Sequence, residues 1–84
     1  MKLSIHSLTK THFDGEAYSV NAKTMAGEIT VLDHHRPLLS RLRPGVITVI
    51  DESGKSHYID SGSGFLEVES GNRMTLLIDE REDA

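Results

Sequence analysis

The sequence predicts an all-β fold: a single small β-sandwich, residues 1–84, of about seven or eight short antiparallel strands. Three observations predict it. Apolar residues recur at every second position in short runs that are rich in β-branched and aromatic side chains. Glycine-containing turn sequences separate these runs at intervals of roughly 8–12 residues. No window of about 11 residues shows the period of an amphipathic helix, so no long helix is expected.

The predicted strands are marked by alternating apolar positions, and the predicted turns by glycine. In chain order, the strand positions are Leu3 and Ile5; Tyr18, Val20 and Ala22; Ile29 and Val31; Val46, Ile47, Val49 and Ile50; Tyr58 and Ile59; Phe65, Leu66 and Val68; and Met74, Leu76 and Ile78. The turn sequences are Asp14-Gly15, Ala26-Gly27, Pro44-Gly45, Ser53-Gly54, Gly62-Ser63-Gly64 and Ser70-Gly71-Asn72.

Three local features are predicted in the second half of the chain. The segments Val46–Asp51 and Ser56–Asp60 form a hairpin around a turn that contains Gly54. The sequence Gly62-Ser63-Gly64 precedes a strand rather than a helix, which argues against a phosphate-binding loop and predicts a bulge or a tight bend. The acidic segment 79–84 is expected to form a frayed tail.

Length, charge and cysteine content exclude several function classes. A chain of 84 residues leaves no room for a large catalytic cleft between two subdomains. The net charge of −4 argues against a nucleic-acid partner, because such proteins usually concentrate basic residues on one face. Without cysteine the chain has no disulfide, no thiolate nucleophile and no Cys-type zinc site, which fits a reducing compartment.

Targeting and membrane-spanning signals are not expected either. The segment Met1–His6 has no sustained apolar stretch and no small-residue cleavage site, so it does not read as a signal peptide. No apolar run approaches about 18 residues, so direct insertion into a membrane is not predicted.

The sequence Asp33-His34-His35 is the obvious metal candidate, because imidazole and carboxylate groups suit zinc, iron or manganese. Neighbouring residues of an extended strand point to opposite faces, so both histidines face one ion only if a turn intervenes. A further ligand would have to come from His6, His12 or His57. We therefore expect no metal site, although a small metal-dependent enzyme built on these residues remains a rival hypothesis.

Other chemically active groups have simpler interpretations. The carboxylate pairs Glu67/Glu69 and Asp51/Glu52 are typical of solvent-facing strand positions rather than of an acid–base pair. No serine lies in a nucleophile elbow that leads into a helix. We expect no catalytic residue and no cofactor.

With catalytic and metal sites set aside, we expect the functional part of the chain to be a surface for binding another protein. Leu38, Leu39 and Leu42 lie between two turn sequences; either they are exposed as a contact site, or at least two of them belong to the core. The charges of Arg36, Arg41 and Arg43 are either a solvated edge or a contact for an acidic partner.

Several motifs occur in an order that resembles one known family. They are Leu3–Leu8 followed by Phe13-Asp14-Gly15-Glu16; Gly27-Glu28 followed by Ile29–Leu32; His34-His35-Arg36-Pro37-Leu38-Leu39; Pro44-Gly45 before the hairpin; and Ser61–Val68 followed by Gly71-Asn72. On these motifs, which run through nearly the whole chain, it resembles the N-terminal β-sandwich of the epsilon subunit of the rotary F-type ATP synthase.

The resemblance implies a non-catalytic role in the central stalk, on the cytoplasmic side of the inner membrane, where ion flow is coupled to ATP synthesis. Its implied partners are the gamma subunit and the c-ring. By position, Ala26, Gly27 and Glu28 would face the loops of the c-ring. The residues His35, Arg36, Leu38 and Leu39 would face the gamma subunit. The coupling ion is either the proton or sodium.

The chain also departs from the family pattern. Members usually have glycine at the position of Thr30, Pro-Gly at Asp33-His34, and a small residue at Arg36. Because these changes fall in the expected partner loop, an alternative is a stand-alone binding or regulatory module with the same fold and a changed partner loop at 30–36. The chain stops where a C-terminal helical hairpin would begin, so nucleotide binding and inhibition by that hairpin are not expected.

Overall fold

Seven β-strands make up the protein over residues 1–80, the part that the computed structural model describes. They are β1 (Lys2–His6), β2 (Thr11–Thr24), β3 (Gly27–Leu32), β4 (Leu38–Leu42), β5 (Gly45–Asp51), β6 (Ser56–Glu69) and β7 (Arg73–Glu80). No helix occurs within these residues. The predicted all-β class is confirmed, but β2 and β6 are each 14 residues long and are not short strands.

The two long strands pass through both layers of the sandwich. The first layer contains β1, β7 and β4 with the neighbouring halves of β2 and β6, and the second contains β3 and β5 with the other halves. One pair departs from the predicted antiparallel arrangement: β1 and β7 are parallel, with Leu3 opposite Met74. Between β1 and β7 the chain crosses into the second layer along β2 and comes back to the first layer along β6. This long connection lets the first and last described strands run in the same direction.

Strand pairing closes a ring through β2, β1, β7, β6 and β5. Strand β4 pairs with β6 and meets β2 only where Thr24 lies opposite Leu42. Strand β3 pairs with β2 alone among the described strands. The open side of the sandwich is therefore flanked by β3 and β4.

The core lies between the two layers and follows the predicted alternation. In β7, Met74, Leu76 and Ile78 are buried while Leu77 between them is 57% exposed. Each fully buried Leu, Ile or Val side chain contributes about 1.5–3 kcal/mol relative to exposure, so this shared interior is the main source of stability. The buried apolar residues are Met1, Leu3, Ile5, Ala17, Val20, Ala22, Val31, Leu42, Ile47, Val49, Leu66, Val68, Met74, Leu76 and Ile78.

The bend of β6 between the layers is made by a bulge at Gly64. Ser61 lies opposite Glu80 and Gly64 opposite Ile78, so β6 contains one residue more than β7 over this stretch. A Cβ atom on Gly64 would overlap the Leu77 carbonyl oxygen and would lie 2.9 Å from the Ile78 Cα. The predicted bulge is confirmed, and the close approach of β7 explains why glycine occupies it.

The predicted hairpin is confirmed as β5 and β6, with Val46 opposite Asp60. Asp51 organises its turn: its Oδ1 accepts from the Ser53 N–H at 2.9 Å, the Ser53 hydroxyl at 2.6 Å and the Lys55 N–H at 3.0 Å. Its Oδ2 lies 2.8 Å from the His57 Nε2. The His57 ring in turn meets the edge of Phe13, with centroids 5.3 Å apart.

These bonds predict a pH-dependent contribution of Asp51 to stability. The hydrogen bond from His57, followed by that from Ser53, holds the pKa of the Asp51 carboxyl well below its usual range. Because an unfolded Asp titrates near pH 4, the stabilisation is complete above about pH 5 and is lost as the pH falls toward the lower folded pKa. We expect Asp51→Asn to lower the Tm at pH 7 and to flatten the Tm-versus-pH curve between about pH 2 and 5. Parallel curves for the two proteins would contradict this role.

The acidic end of the sequence is partly in strand. Asp79 and Glu80, which the sequence assigned to a frayed tail, belong to β7. Glu80 accepts hydrogen bonds from the hydroxyls of Ser7, at 2.8 Å, and of Thr9. Residues 81–84 lie outside the described part of the chain.

Candidate partner-binding surfaces

The outer face of the first layer carries three exposed apolar side chains, Leu39, Phe65 and Leu77, which we call the outer patch. They are 70%, 52% and 57% exposed. Phe65 of β6 lies directly opposite Leu77 of β7. On the other side of β6, Leu39 lies opposite Glu67, which is two residues from Phe65 on the same face, so Leu39 and Phe65 are diagonal neighbours. Side chains in these relations are within reach of one another, so three neighbouring strands present one apolar surface.

The three leucines of β4 divide between this face and the interior. Leu42 is buried, Leu38 is half-buried against the core, and Leu39 points outward. Each of the two interpretations from sequence therefore holds for part of the segment: Leu42 belongs to the core and Leu38 packs against it, whereas Leu39 is exposed. Leu39 therefore lies on the outer patch, whereas Leu38 has its side chain on the opposite face of the same strand.

The connection between β3 and β4, residues 33–37, is anchored to the turn between β6 and β7. The His34 N–H donates to the Asn72 Oδ1 at 2.8 Å, and the Asn72 Nδ2 lies 3.4 Å from the Asp33 Oδ1. The Asp33 carboxylate also lies 2.5 Å from the Met1 amino group. The hydrogen bond from that amino group, and then the one from Asn72, lower the pKa of Asp33.

His34 adopts a left-handed backbone conformation, with φ 61°. A residue with a side chain loses roughly 1–2 kcal/mol of folding free energy in this conformation, and glycine avoids that loss. This agrees with the family pattern, which has glycine at the position of His34. His34→Gly keeps the N–H that bonds Asn72 and relieves the strain. After the larger entropy loss of glycine on folding, we expect a gain of about 0.5–1 kcal/mol, a Tm increase of a few degrees.

The matched control for His34→Gly is His35→Gly, at the adjacent residue, which has no positive φ. We expect this change to lower stability, because glycine brings its entropy cost there without relieving strain and also removes the contact of the half-buried His35 ring with the Arg36 carbonyl oxygen. Thermal unfolding of the two variants side by side checks the assignment. A lower Tm for His34→Gly would contradict it.

The histidines do not come together as a metal site. Over residues 1–80, no group of three or more His, Cys, Asp or Glu side chains is placed to hold a metal ion. The His57 Nε2 lies 2.8 Å from Asp51, the His12 Nε2 lies 3.1 Å from the Ser7 hydroxyl, and the His6 Nδ1 lies 3.2 Å from the Thr11 hydroxyl. The Nδ1 of the half-buried His35 contacts the Arg36 carbonyl oxygen at 2.7 Å, and Arg36 itself is exposed.

The turn between β2 and β3 carries the other predicted contact residues. The Thr24 hydroxyl donates to the Gly27 carbonyl at 2.7 Å and accepts from the Ala26 N–H at 3.1 Å. Gly27 has φ 124°, which favours glycine. The carboxylate of Glu28 accepts from the Asn21 amide at 3.2 Å, and the same amide donates to the Thr30 hydroxyl at 2.9 Å. The turn and its one acidic side chain are therefore held in a defined position.

A shallow depression of about 270 Å³ lies beside this turn, on the open side of the sandwich. Its lining combines the expected c-ring residues with one of the expected gamma residues, and consists of Thr24, Ala26, Gly27, Glu28, Ile29, Leu38 and Ser40. The structure thus brings Leu38 to the β2–β3 turn and separates it from Leu39.

Phe65 and Leu77 are contact candidates that sequence reasoning missed. Each stands next to a buried leucine, Leu66 or Leu76. Phe65 and Leu66 were both counted among the strand positions, whereas Leu77 was left out. The available signal was strict alternation from Val68 and from Ile78, which assigns Phe65 and Leu77 to the outer face. In the part of the chain described, no helix is long and apolar enough to cross a membrane.

Comparison with known proteins gives consistent matches. The family described as "ATP synthase, Delta/Epsilon chain, beta-sandwich domain" matches residues 1–84. The curated ATP synthase epsilon chain 2 of Burkholderia orbicola (strain AU 1054) is 39% identical over 80 residues, which cover 94% of this chain and 52% of that protein. The chain therefore spans about half of the length of that relative.

Two solved structures share the fold. A chain of the Euglena gracilis mitochondrial ATP synthase (OSCP/F1/c-ring, rotational state 1) superposes with a TM-score of 0.86 at 23% identity, over 93% of this chain and 49% of that one. A chain of the Tetrahymena thermophila mitochondrial ATP synthase central stalk and c-ring gives 0.79 at 17% identity, over 95% and 63%. At these identities the two matches establish the sandwich fold.

Proposed function

The chain belongs to the family of ATP synthase delta/epsilon-chain β-sandwich domains, and from this membership we propose that it is a non-catalytic central-stalk subunit of a rotary ATP synthase. In this role it joins the gamma subunit to the c-ring on the cytoplasmic side of the membrane. By binding both partners, and without a catalytic step of its own, it couples the flow of protons or sodium ions to ATP synthesis. The observation that carries the proposal is the outer patch, an exposed apolar surface that extends across three neighbouring strands.

The outer patch supports docking of a large partner. Leu39, Phe65 and Leu77 come from three different strands, so their positions are fixed by the sheet rather than by a loop. Arg41 lies opposite Phe65, and Glu67 opposite Leu39, which places charged groups around an apolar centre. An apolar centre with a polar rim is the usual anatomy of a specific protein interface.

We assign this surface to the gamma subunit. Leu39 belongs to the gamma contact that the family resemblance implies, and His35 and Arg36 lie in the connection that leads into β4. Phe65 and Leu77 extend that contact across β6 and β7. Leu38, by contrast, packs against the core and supports the contact from within.

We assign the β2–β3 turn to the c-ring. Ala26, Gly27 and Glu28 are exposed and stand together at one end of β3. The bond from Asn21 holds the Glu28 carboxylate in place, which suits pairing with a basic loop of the ring. A charge pair at the rim of an interface sets register and partner choice more than affinity.

Co-elution with the gamma subunit of the same organism tests the proposal. We expect the chain to form a stable one-to-one complex in size-exclusion chromatography. We expect Leu39→Asp, and likewise Phe65→Asp, to weaken the complex by at least about 30-fold in a titration, as loss of an interface hot spot does. Both residues are exposed, so the variants should keep the circular dichroism spectrum of the parent.

The matched control is Tyr58→Asp, which places the same charge on the outer face of the second layer, where Tyr58 is 71% exposed. We expect it to leave gamma binding within a factor of about two. Equal loss in all three variants would contradict the assignment to the outer patch. No complex between two folded proteins would contradict the central-stalk role and favour the module with a changed partner loop at 30–36.

A further inference from the structure

Glu28, the acidic side chain of the β2–β3 turn, has a cation directly across from it but does not pair with it. In the register of β2 and β3, Lys23 lies opposite Glu28. Side chains in this relation come within reach of each other, and opposite charges there stabilise a sheet. None of the ion pairs found within residues 1–80 includes Glu28 or Lys23. The fold therefore leaves an available cross-strand ion pair unmade, and two contacts explain why.

The first contact is with Asn21, the diagonal neighbour of Glu28 on β2. The Asn21 Nδ2 donates to the Glu28 Oε2 at 3.2 Å and to the Thr30 Oγ1 at 2.9 Å. An ionised carboxylate only accepts hydrogen bonds, so the amide must present its nitrogen to Glu28. Thr30 lies directly opposite Asn21 and helps to fix the amide in that orientation. The carboxylate of Glu28 is thus drawn toward Asn21 rather than toward Lys23.

The second contact is between the Lys23 side chain and Gly45, the first residue of β5. A Cβ atom on Gly45 would lie 3.0 Å from the Lys23 Cδ and 3.7 Å from the Lys23 Cγ. The stem of Lys23 therefore occupies the space next to position 45 that a side chain there would need. Gly45 has no positive φ, so its backbone does not require glycine. Because β3 and β5 flank β2 on opposite sides, Lys23 leans away from Glu28.

From these two contacts we infer that Asn21 and Gly45 are positioning residues, which together keep Glu28 from being neutralised by Lys23. A carboxylate whose one internal partner is a neutral donor offers its negative charge to a basic side chain of a partner without the cost of breaking an internal ion pair. The identification of that partner as the c-ring rests on the proposed function. The separation of Glu28 from Lys23 does not.

Binding explains this arrangement better than stability does. Glu28 and Thr30 are exposed, and a hydrogen bond between exposed groups contributes little to folding because water competes for both of them. If Lys23 were paired with Glu28, an incoming basic group would have to displace the Lys23 ammonium and would be repelled by it. Asn21 carries no charge, so it can hold Glu28 in place without repelling a cation.

Carbodiimide crosslinking of the whole chain tests the positions, because it joins a lysine amine to a carboxylate only where the two are in direct contact. Mass spectrometry quantifies the peptide in which Lys23 and Glu28 are joined. We expect little of this product in the parent chain. We expect at least about threefold more in Asn21→Leu, which removes the donor at similar size, and in Gly45→Ala, which displaces the Lys23 stem.

The matched control is Thr48→Val, which removes a hydroxyl on β5 directly opposite Asn21, away from Glu28. We expect it to leave the yield of the Lys23–Glu28 crosslink within about twofold of the parent, because it touches neither of the two contacts. Unfolding curves establish that all three variants are folded.

Titration of the chain onto the immobilised c-ring of the same organism tests the consequence for binding. We expect Asn21→Leu to weaken binding by about three- to tenfold, because the basic group of the ring then competes with Lys23. Adding Lys23→Met removes the competitor and should restore most of the loss. A merely structural role of Asn21 would not be rescued by a change at Lys23. Thr48→Val should again stay within about twofold of the parent.

Two results would overturn the inference: a Lys23–Glu28 crosslink that forms as readily in the parent as in Asn21→Leu and Gly45→Ala, or ring binding by Asn21→Leu that Lys23→Met fails to rescue. Equal ring binding by the parent and by Asn21→Leu would overturn it as well and would retain the proposed c-ring contact. A parent chain that binds gamma but not the ring, with the expected crosslinks, contradicts that contact and retains the positions inferred for Glu28 and Lys23.

Discussion

Gly64→Ala is expected to destabilise the protein by about 3 kcal/mol or more, the upper range for an overpacked interior. The added methyl group would meet the backbone of Leu77 and Ile78 rather than the end of a flexible side chain, so no change of rotamer relieves the overlap. Either β7 moves away from β6 or the bulge is lost. For a domain of this size, the Tm should fall by roughly 12–24 °C, which thermal unfolding measures directly.

The control for Gly64→Ala is Gly15→Ala in β2. The nearest atoms to a Cβ at Gly15 are those of the Phe13 ring, at 3.9 Å, which is an ordinary contact distance. At such a compatible site alanine stabilises by about 0.4–1 kcal/mol, because it reduces the entropy of the unfolded chain. A small effect of Gly64→Ala, similar to that of Gly15→Ala, would show that β6 and β7 do not approach as closely as described.

Leu76→Ala is the second change with a large expected effect, a loss of about 2–5 kcal/mol. Leu76 is fully buried, and its strand β7 lies between β1 and β6, so neighbouring elements on both sides hinder collapse into the cavity. Since a domain this small has a total stability near the lower end of about 5–15 kcal/mol, the variant should be largely unfolded under mild denaturant. Urea titration followed by circular dichroism measures the loss.

The adjacent residue provides the control, because Leu77 is 57% exposed on the other face of the same strand. We expect Leu77→Ala to change stability by about 0.5 kcal/mol or less. The same variant should weaken the gamma complex, because Leu77 belongs to the outer patch. Equal destabilisation by the two alanine variants would contradict the assigned faces of β7.

Local patterns in the sequence predicted much of the fold. The β5–β6 hairpin followed from two alternating runs around Gly54, and the bulge at Gly64 followed from paired glycines that precede a strand. Both features depend on residues close together in the chain. The family resemblance was carried by several short motifs in order, and the match over residues 1–84 confirms it.

The features that sequence reasoning missed depend on distant parts of the chain. The parallel pairing of β1 with β7 joins residues about 70 positions apart, and the bond from His34 to Asn72 spans 38. Adjacent apolar residues such as Leu38 and Leu39 leave the inward face undecided, because only pairing with β6 sets the register. The positive φ of His34 has no signature in the residue itself. The contacts with gamma and the c-ring stay predictions.

The parallel pairing of β1 with β7 also governs when the protein folds. Of the described strands, β1 is synthesised first, but one of its two neighbours is the last strand described, which ends at Glu80. The ring of strands therefore stays open during synthesis until nearly all of the domain has emerged. Such long-range pairing places folding in the millisecond-to-second range, and an open ring exposes unpaired edges in the meantime. Until β7 has been synthesised, the edge of β1 that it covers in the folded domain stays unpaired.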